Sequence, residues 1–68
     1  MTYREKIQLM IKLIDNLYDD AETMRDLATT EEQVFWNEHR EIFFKAGTPL
    51  RKLDNSLTPE RANKTIYI

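Results

Sequence analysis

The residues of this 68-residue chain that could do chemistry are few: one histidine, no cysteine, and carboxylates set at helical spacings. Asp15, Asp19, Glu22 and Asp26 follow one another at intervals of four, three and four, which places them on one strip of a helix. Such a strip could meet a basic partner or weakly hold a divalent cation. The plainer reading is a solvated face, because charged residues normally occupy the side of a helix away from its core. Like charges at these spacings repel by only a few tenths of a kcal/mol each, so no function is needed to explain them. These four residues are expected to be dispensable for folding, and neutralising two of them to leave Tm unchanged or raise it. Glu38 and Glu41 form a second carboxylate pair, in which Glu41 is also the i,i+4 partner of Lys45.

His39 could act as a general base or a pH switch. Without a second histidine or a thiolate it is a poor basis for a zinc site. No serine–histidine–acid arrangement, Gly-rich phosphate loop or P-loop accompanies it. The expectation is a buried histidine satisfied by one hydrogen bond, with no catalytic residue, cofactor or metal ligand in the chain. Arg51, Lys52, Arg61 and Lys64, with Tyr67 nearby, make the C-terminal segment basic and open to phosphate contact. The whole chain nevertheless carries a net charge of −2, and nucleic-acid-binding domains are usually more basic. Trp36 and Phe43 are expected in the core, and Phe44 on a partner-binding surface of the kind aromatic residues favour.

The elements that must position these residues are helical. Tyr3, Ile7, Met10, Ile14, Leu17, Ala21, Met24 and Ala28 alternate strictly between spacings of four and three, the pattern of a helix lying along another helix. Leu9, Leu13 and Leu27 flank this seam on one side, Ile11 and Tyr18 on the other. The apolar arc then covers about half the circumference, more than one neighbour requires. Thr2 and Glu5 make a capping box, so a helix is predicted over about 2–28. Asp19 and Glu22 have the spacing of a second cap, but the seam keeps its phase through them, which favours a continuous helix.

Thr30 with Gln33 suggests the next helix start, and Gly47, the only glycine, suggests a left-handed C-cap. A second helix over about 31–46 follows, in an antiparallel hairpin with the first. Its face of Phe35, Trp36, His39, Ile42, Phe43 and Ala46 should pack on the seam, so that Phe35→Ala and Leu17→Ala each cost about 2–5 kcal/mol. At about 1.5 Å per residue the second helix is the shorter by over a third. Tyr3, Ile7, Met10 and Ile11 are left to be covered by the C-terminal segment or by another chain. Two Thr-Pro pairs suggest a short helix at about 49–56 carrying Leu50, Leu53 and Leu57, and a further turn at Thr58-Pro59-Glu60. Residues 65–68 read as a short strand, an arm on a neighbour or a disordered end.

The expected whole is a single all-α domain, 1–68, with 58–68 readable as a flexible tail or arm. A chain this short and without cysteine gains stability most readily by oligomerising. No apolar run is long enough to span a membrane and no signal-peptide core is present, so a cytoplasmic location is expected, in keeping with the absence of cysteine. The architecture recurs in small bacterial and phage regulators, an analogy of shape alone. The functional expectation is a non-enzymatic protein–protein interaction module, a small regulatory or inhibitory hairpin that forms a homodimer through Tyr3, Ile7, Met10, Ile11 and Phe44. The alternative is a dimeric helical nucleic-acid-binding regulator that uses the basic C-terminal segment.

Overall fold

The computed structural model describes residues 1–66; Tyr67 and Ile68 lie outside the described residues. It is an all-α helical hairpin. Helix α1 spans Tyr3–Leu27, α2 spans Thr30–Ser56, and the single turn α3 spans Pro59–Ala62. The two long helices pack against each other and α3 folds back onto α1. Among the described residues the only β pairing is an isolated antiparallel bridge between Thr2 and Thr65.

Helix α1 starts as its sequence predicts. The Thr2 hydroxyl accepts from the Glu5 N–H at 3.2 Å, and the Glu5 carboxylate accepts from the Thr2 N–H at 2.9 Å. The helix runs unbroken past Asp19, whose carbonyl accepts from the Thr23 hydroxyl.

Helix α2 departs from expectation at both ends. Its capping box is Thr29 with Glu32, not Thr30 with Gln33. The two boxes are offset by one residue, and the one whose N3 side chain is a carboxylate prevails. The helix then passes through Gly47 and Pro49 to Ser56. Gly47 is not a left-handed cap, since no described glycine has positive φ. It is buried where the helices come close: a Cβ there would stand 3.6 Å from Ile14 Cγ2. Pro49 removes one backbone hydrogen bond, and the Thr48 hydroxyl donates back to the Phe44 carbonyl at 3.4 Å instead of capping a new helix. Packing of Leu50, Asp54 and Leu57 on α1 outweighs the proline: all three are half-buried. The segment expected as a separate helix at 49–56 is therefore the last part of α2.

This correction removes the length mismatch. With 25 and 27 residues the helices are matched, and α2 with the tail covers the start of α1. Ile7 is buried, and Tyr3 and Ile11 are half-buried. The Tyr3 N–H donates to the Lys64 carbonyl at 2.8 Å, and the Ile66 N–H to the Met1 carbonyl at 2.9 Å. Thr58 caps α3, and Ala62 is buried. Thr65 and Ile66 are thus tied to the first residues of the chain.

The packing seam is also rotated from its expected phase. On α1 it is Ile7, Ile11, Ile14, Tyr18, Ala21, Arg25 and Ala28; on α2 it is Trp36, Arg40, Phe43, Gly47, Leu50, Asp54 and Leu57. Every one of these is buried or half-buried, and both sets alternate between four and three. A count of apolar residues misses this seam because Arg25, Arg40 and Asp54 belong to it. The arginines lay their stems along the interface while their charged ends find partners at its edge. Ile7, Ile14, Ala21 and Ala28 are common to both phases. Met10, Leu17 and Met24 are left 41%, 45% and 44% exposed.

Candidate interaction surface

The hairpin has two broad sides, fixed by which side chains meet across the seam. On one side Asp15 pairs with Arg51, Glu22 with Arg40 at 3.4 Å, and the Arg25 guanidinium donates to the Asn37 side chain at 3.5 Å. Between them the Tyr18 and Phe44 rings lie 6.1 Å apart, and the Arg40 guanidinium sits 5.3 Å from the Tyr18 centroid. A shallow groove of about 470 Å³ runs here, lined by Tyr18, Arg25, Asn37, Arg40, Glu41 and Phe44. This is the polar side.

The acidic strip belongs to it but is not a free surface. Asp15 and Glu22 reach across to arginines of α2, and Asp26 lies 3.4 Å from Arg25. Asp19 stands beside them, exposed. Glu41 makes the expected pair with Lys45, at 3.2 Å. Among the described residues no group of three or more His, Cys, Asp or Glu side chains is arranged to hold a metal ion.

The basic segment is likewise partly engaged. Arg51 is held by Asp15, and the Arg61 guanidinium lies 5.1 Å from the Tyr3 ring centroid, while Lys52 and Lys64 are exposed. At the same open end Arg4 clamps α2: its Nη2 donates to the Asp54 carbonyl at 3.2 Å, and its Nε lies 3.2 Å from Asp54 Oδ1. The Nε and Oδ1 atoms are closed off from solvent and poorly aligned as a hydrogen bond, so each is compensated mainly by the other's charge.

With one flank of each helix committed to the polar side, the opposite flanks share the other. Helix α1 presents Met10, Leu13, Leu17, Met24 and Leu27 there, and α2 presents Phe35, Ile42 and Leu53. All are exposed, and they form one apolar side spanning both helices. His39 lies among them, half-buried. Its ring stacks on Phe35 with centroids 3.9 Å apart, and its Nδ1 donates to the Phe35 carbonyl at 2.9 Å. That single hydrogen bond matches the sequence reading, though the ring sits at the seam's edge and not at its centre. Phe35, Ile42 and Ala46, expected in the hairpin core, face outward with it.

The five residues expected to form a self-association surface do not fall together. Ile7 is buried in the single chain; Tyr3 and Ile11 are half-buried; Phe44 is exposed on the polar side against Tyr18; Met10 alone lies exposed on the apolar side. Reading Leu13, Leu17, Leu27, Phe35 and Ile42 as core or flank hid the surface they form. The signal was present in the width of the apolar arc, of which the hairpin uses one half. No helix among the described residues is long and apolar enough to cross a membrane. No known protein family, curated protein or solved structure matches this chain.

Proposed function

We propose that this chain is a non-enzymatic protein–protein interaction module, a small regulatory or inhibitory hairpin that docks through its apolar side. One observation carries the reading: large apolar side chains of both helices lie exposed on a single continuous side, whereas Ile7, Ala21 and Ala62 are the buried apolar core among the described residues. Soluble chains rarely leave so broad an apolar patch open unless it meets a partner. Helical partners recognise such surfaces through anchors at intervals of three and four, the intervals that Met10, Leu13 and Leu17 present. The cytoplasm is the compartment this reading assumes.

The nucleic-acid reading is weaker, because Arg51 and Arg61 already have intramolecular partners and the remaining basic charge is sparse. A gel shift that disappears as salt rises would revive it.

The test places a photo-crosslinking residue at Leu17, on the apolar side, or at Asp19, on the polar side, in cells that make the protein. Crosslinked adducts are expected at Leu17 and not at Asp19. Equal labelling at both positions, or none at Leu17, would overturn the proposal.

A further inference from the structure

We infer that the occupant of the apolar side is a second copy of this chain, laid face to face and antiparallel, so that the turn of each hairpin covers the open end of the other. This rests on the docking reading above and deepens it by naming the occupant and its direction.

Charge sets the direction. The Tyr18–Phe44 contact divides the hairpin into a turn half, residues 19–43, and an open half, residues 1–18 and 44–68. The turn half holds eight acidic and two basic residues; the open half holds four acidic and eight basic. The two ends of the hairpin are therefore −6 and +4. Two-helix layers packed face to face by a two-fold axis, with their helices aligned, have only two directions. With the axis along the helices the turns coincide, and the two acidic ends lie together. With the axis across the helices each acidic turn faces a basic open end, and the attraction is made twice. Much of this charge belongs to the polar side, on Asp15, Glu22, Asp26, Arg25, Arg40 and Arg51, and is screened over a Debye length of about 8 Å at physiological salt. At the apolar side itself the direction is set by Lys6 in the open half and Asp20 in the turn half.

The crosswise direction also sets α1 over α1 and α2 over α2. On α1 the exposed strip runs Met10, Leu13, Leu17, Asp20, Met24, Leu27 at intervals of three and four. With the two-fold axis near residue 15, Leu13 of one copy meets Leu17 of the other, and Lys6 lies over Met24, one turn from the copy's Asp20. The acidic residue that interrupts the strip thereby gains a cation. The area suffices: with Cα extents of 49 × 21 × 13 Å the broad side covers about 1,000 Å², and a stable interface takes about 800 Å² from each partner. Closed two-fold dimers reuse one patch in this way.

The chain has no cysteine, so introduced thiols report without background. Purified wild type at micromolar concentration is expected to sediment as two chains. Leu13→Glu, at a position 55% exposed in the single chain, should keep its helical circular dichroism and sediment as one. Its dissociation constant should rise about a hundredfold or more, because both copies lose an apolar anchor. Met24→Lys provides the same readout should Leu13→Glu fail to fold. Mixed Lys6→Cys and Met24→Cys chains, oxidised together, should form the mixed disulfide, and mixed Met24→Cys and Phe35→Cys chains should not. The reverse crosslinking preference would overturn the direction. A wild type that stays a single chain at all concentrations would overturn the second copy, while adducts to another protein at Leu17 would leave the docking reading standing.

Discussion

The two broad sides of the hairpin are made by the same two helices and finished in different ways. On the polar side, charged groups reach across the seam: Asp15 to Arg51, Glu22 to Arg40, Arg25 to Asn37. On the apolar side Leu13, Leu17, Met24 and Ile42 have half or so of their surface in water. The difference shows how a wide apolar arc is divided. A helix that needs one neighbour buries a narrow stripe; α1 buries the half running through Ile7, Ile14 and Ala21 and leaves the other half for something outside the chain.

The largest expected effect tests that division directly. Ile7→Ala removes methyl groups from a residue that is 5% exposed and should cost about 2–4 kcal/mol, much of the stability of a domain this small. Leu17→Ala, measured where the chain is dispersed, should cost under about 1 kcal/mol, because that side chain is already 45% exposed. The same holds for Phe35→Ala. This revises the equal, large losses that the sequence suggests for Leu17 and Phe35. Urea melts giving Leu17→Ala the same penalty as Ile7→Ala would mean that the seam lies elsewhere.

Next in size is the clamp at the open end, which holds both sides in one plane. Arg4→Ala strands a partly buried Asp54 carboxylate. With the Arg4 side chain 41% exposed and that of Asp54 20% exposed, solvent screening reduces the loss to about 1–2 kcal/mol. Hydrogen exchange should show Leu50 to Ser56 loosening first. A variant as stable as wild type, with that segment still protected, would show that the clamp contributes nothing.

Much of this was legible in the sequence. The capping box at Thr2, the unbroken first helix, the antiparallel hairpin and the turn at Pro59 are local, and local patterns announce them. The end of α2 was not legible. Gly47 and Pro49 are both helix-stop signals, and what overrides them is tertiary: a close approach to Ile14 and the burial of Leu50 and Leu57 on α1. The seam phase was hidden for a related reason. Arg25, Arg40 and Asp54 count as polar in a sequence pattern, yet their placement depends on partners twelve to fifty residues away. A surface made of leucines left over from packing cannot be recognised until the packing is known.

Gly47 offers a smaller and sharper test. Each broad side is continuous only if α2 runs through this residue. A left-handed cap would make Gly47→Ala destabilising. Within a helix the same change gains about 1 kcal/mol of propensity. The new Cβ would meet the Arg51 guanidinium at 2.7 Å, the far end of a flexible side chain that can swing aside, at the expense of its contact with Asp15. A melting temperature that is unchanged or slightly raised is expected. A clear fall would favour a break.

The polar side itself is tested by comparing carboxylates. Asp15→Asn removes an exposed cross-helix pair and should cost about 0.2–1 kcal/mol. Asp19→Asn removes only like-charge neighbours and should be neutral or gain a few tenths of a kcal/mol. This replaces the expectation that all four acidic residues behave alike. Thermal melts of the two single variants, and of a charge-neutral Arg51→Met partner for Asp15→Asn, separate the pair from the background. Equal effects at Asp15 and Asp19 would reduce the strip to a uniformly solvated face.

The smallest effect is a matter of pH. The Thr2 backbone N–H and hydroxyl hold the Glu5 carboxyl below its ordinary value of 4.5, because these bonds favour the ionised form. A group whose folded value is depressed stabilises the fold above its unfolded value and loses that contribution as pH falls through the folded one. The start of α1 should therefore be intact above pH 4.5 and fray progressively below it, releasing the Thr2–Glu5 box. Carboxyl chemical shifts give the test. Glu5 should titrate below the ordinary 4.5, and Thr2→Ala, which removes the hydroxyl but not the backbone N–H, should move its midpoint part of the way back up. A wild-type Glu5 midpoint at the ordinary 4.5 would mean that the capping box does not hold the carboxylate in solution.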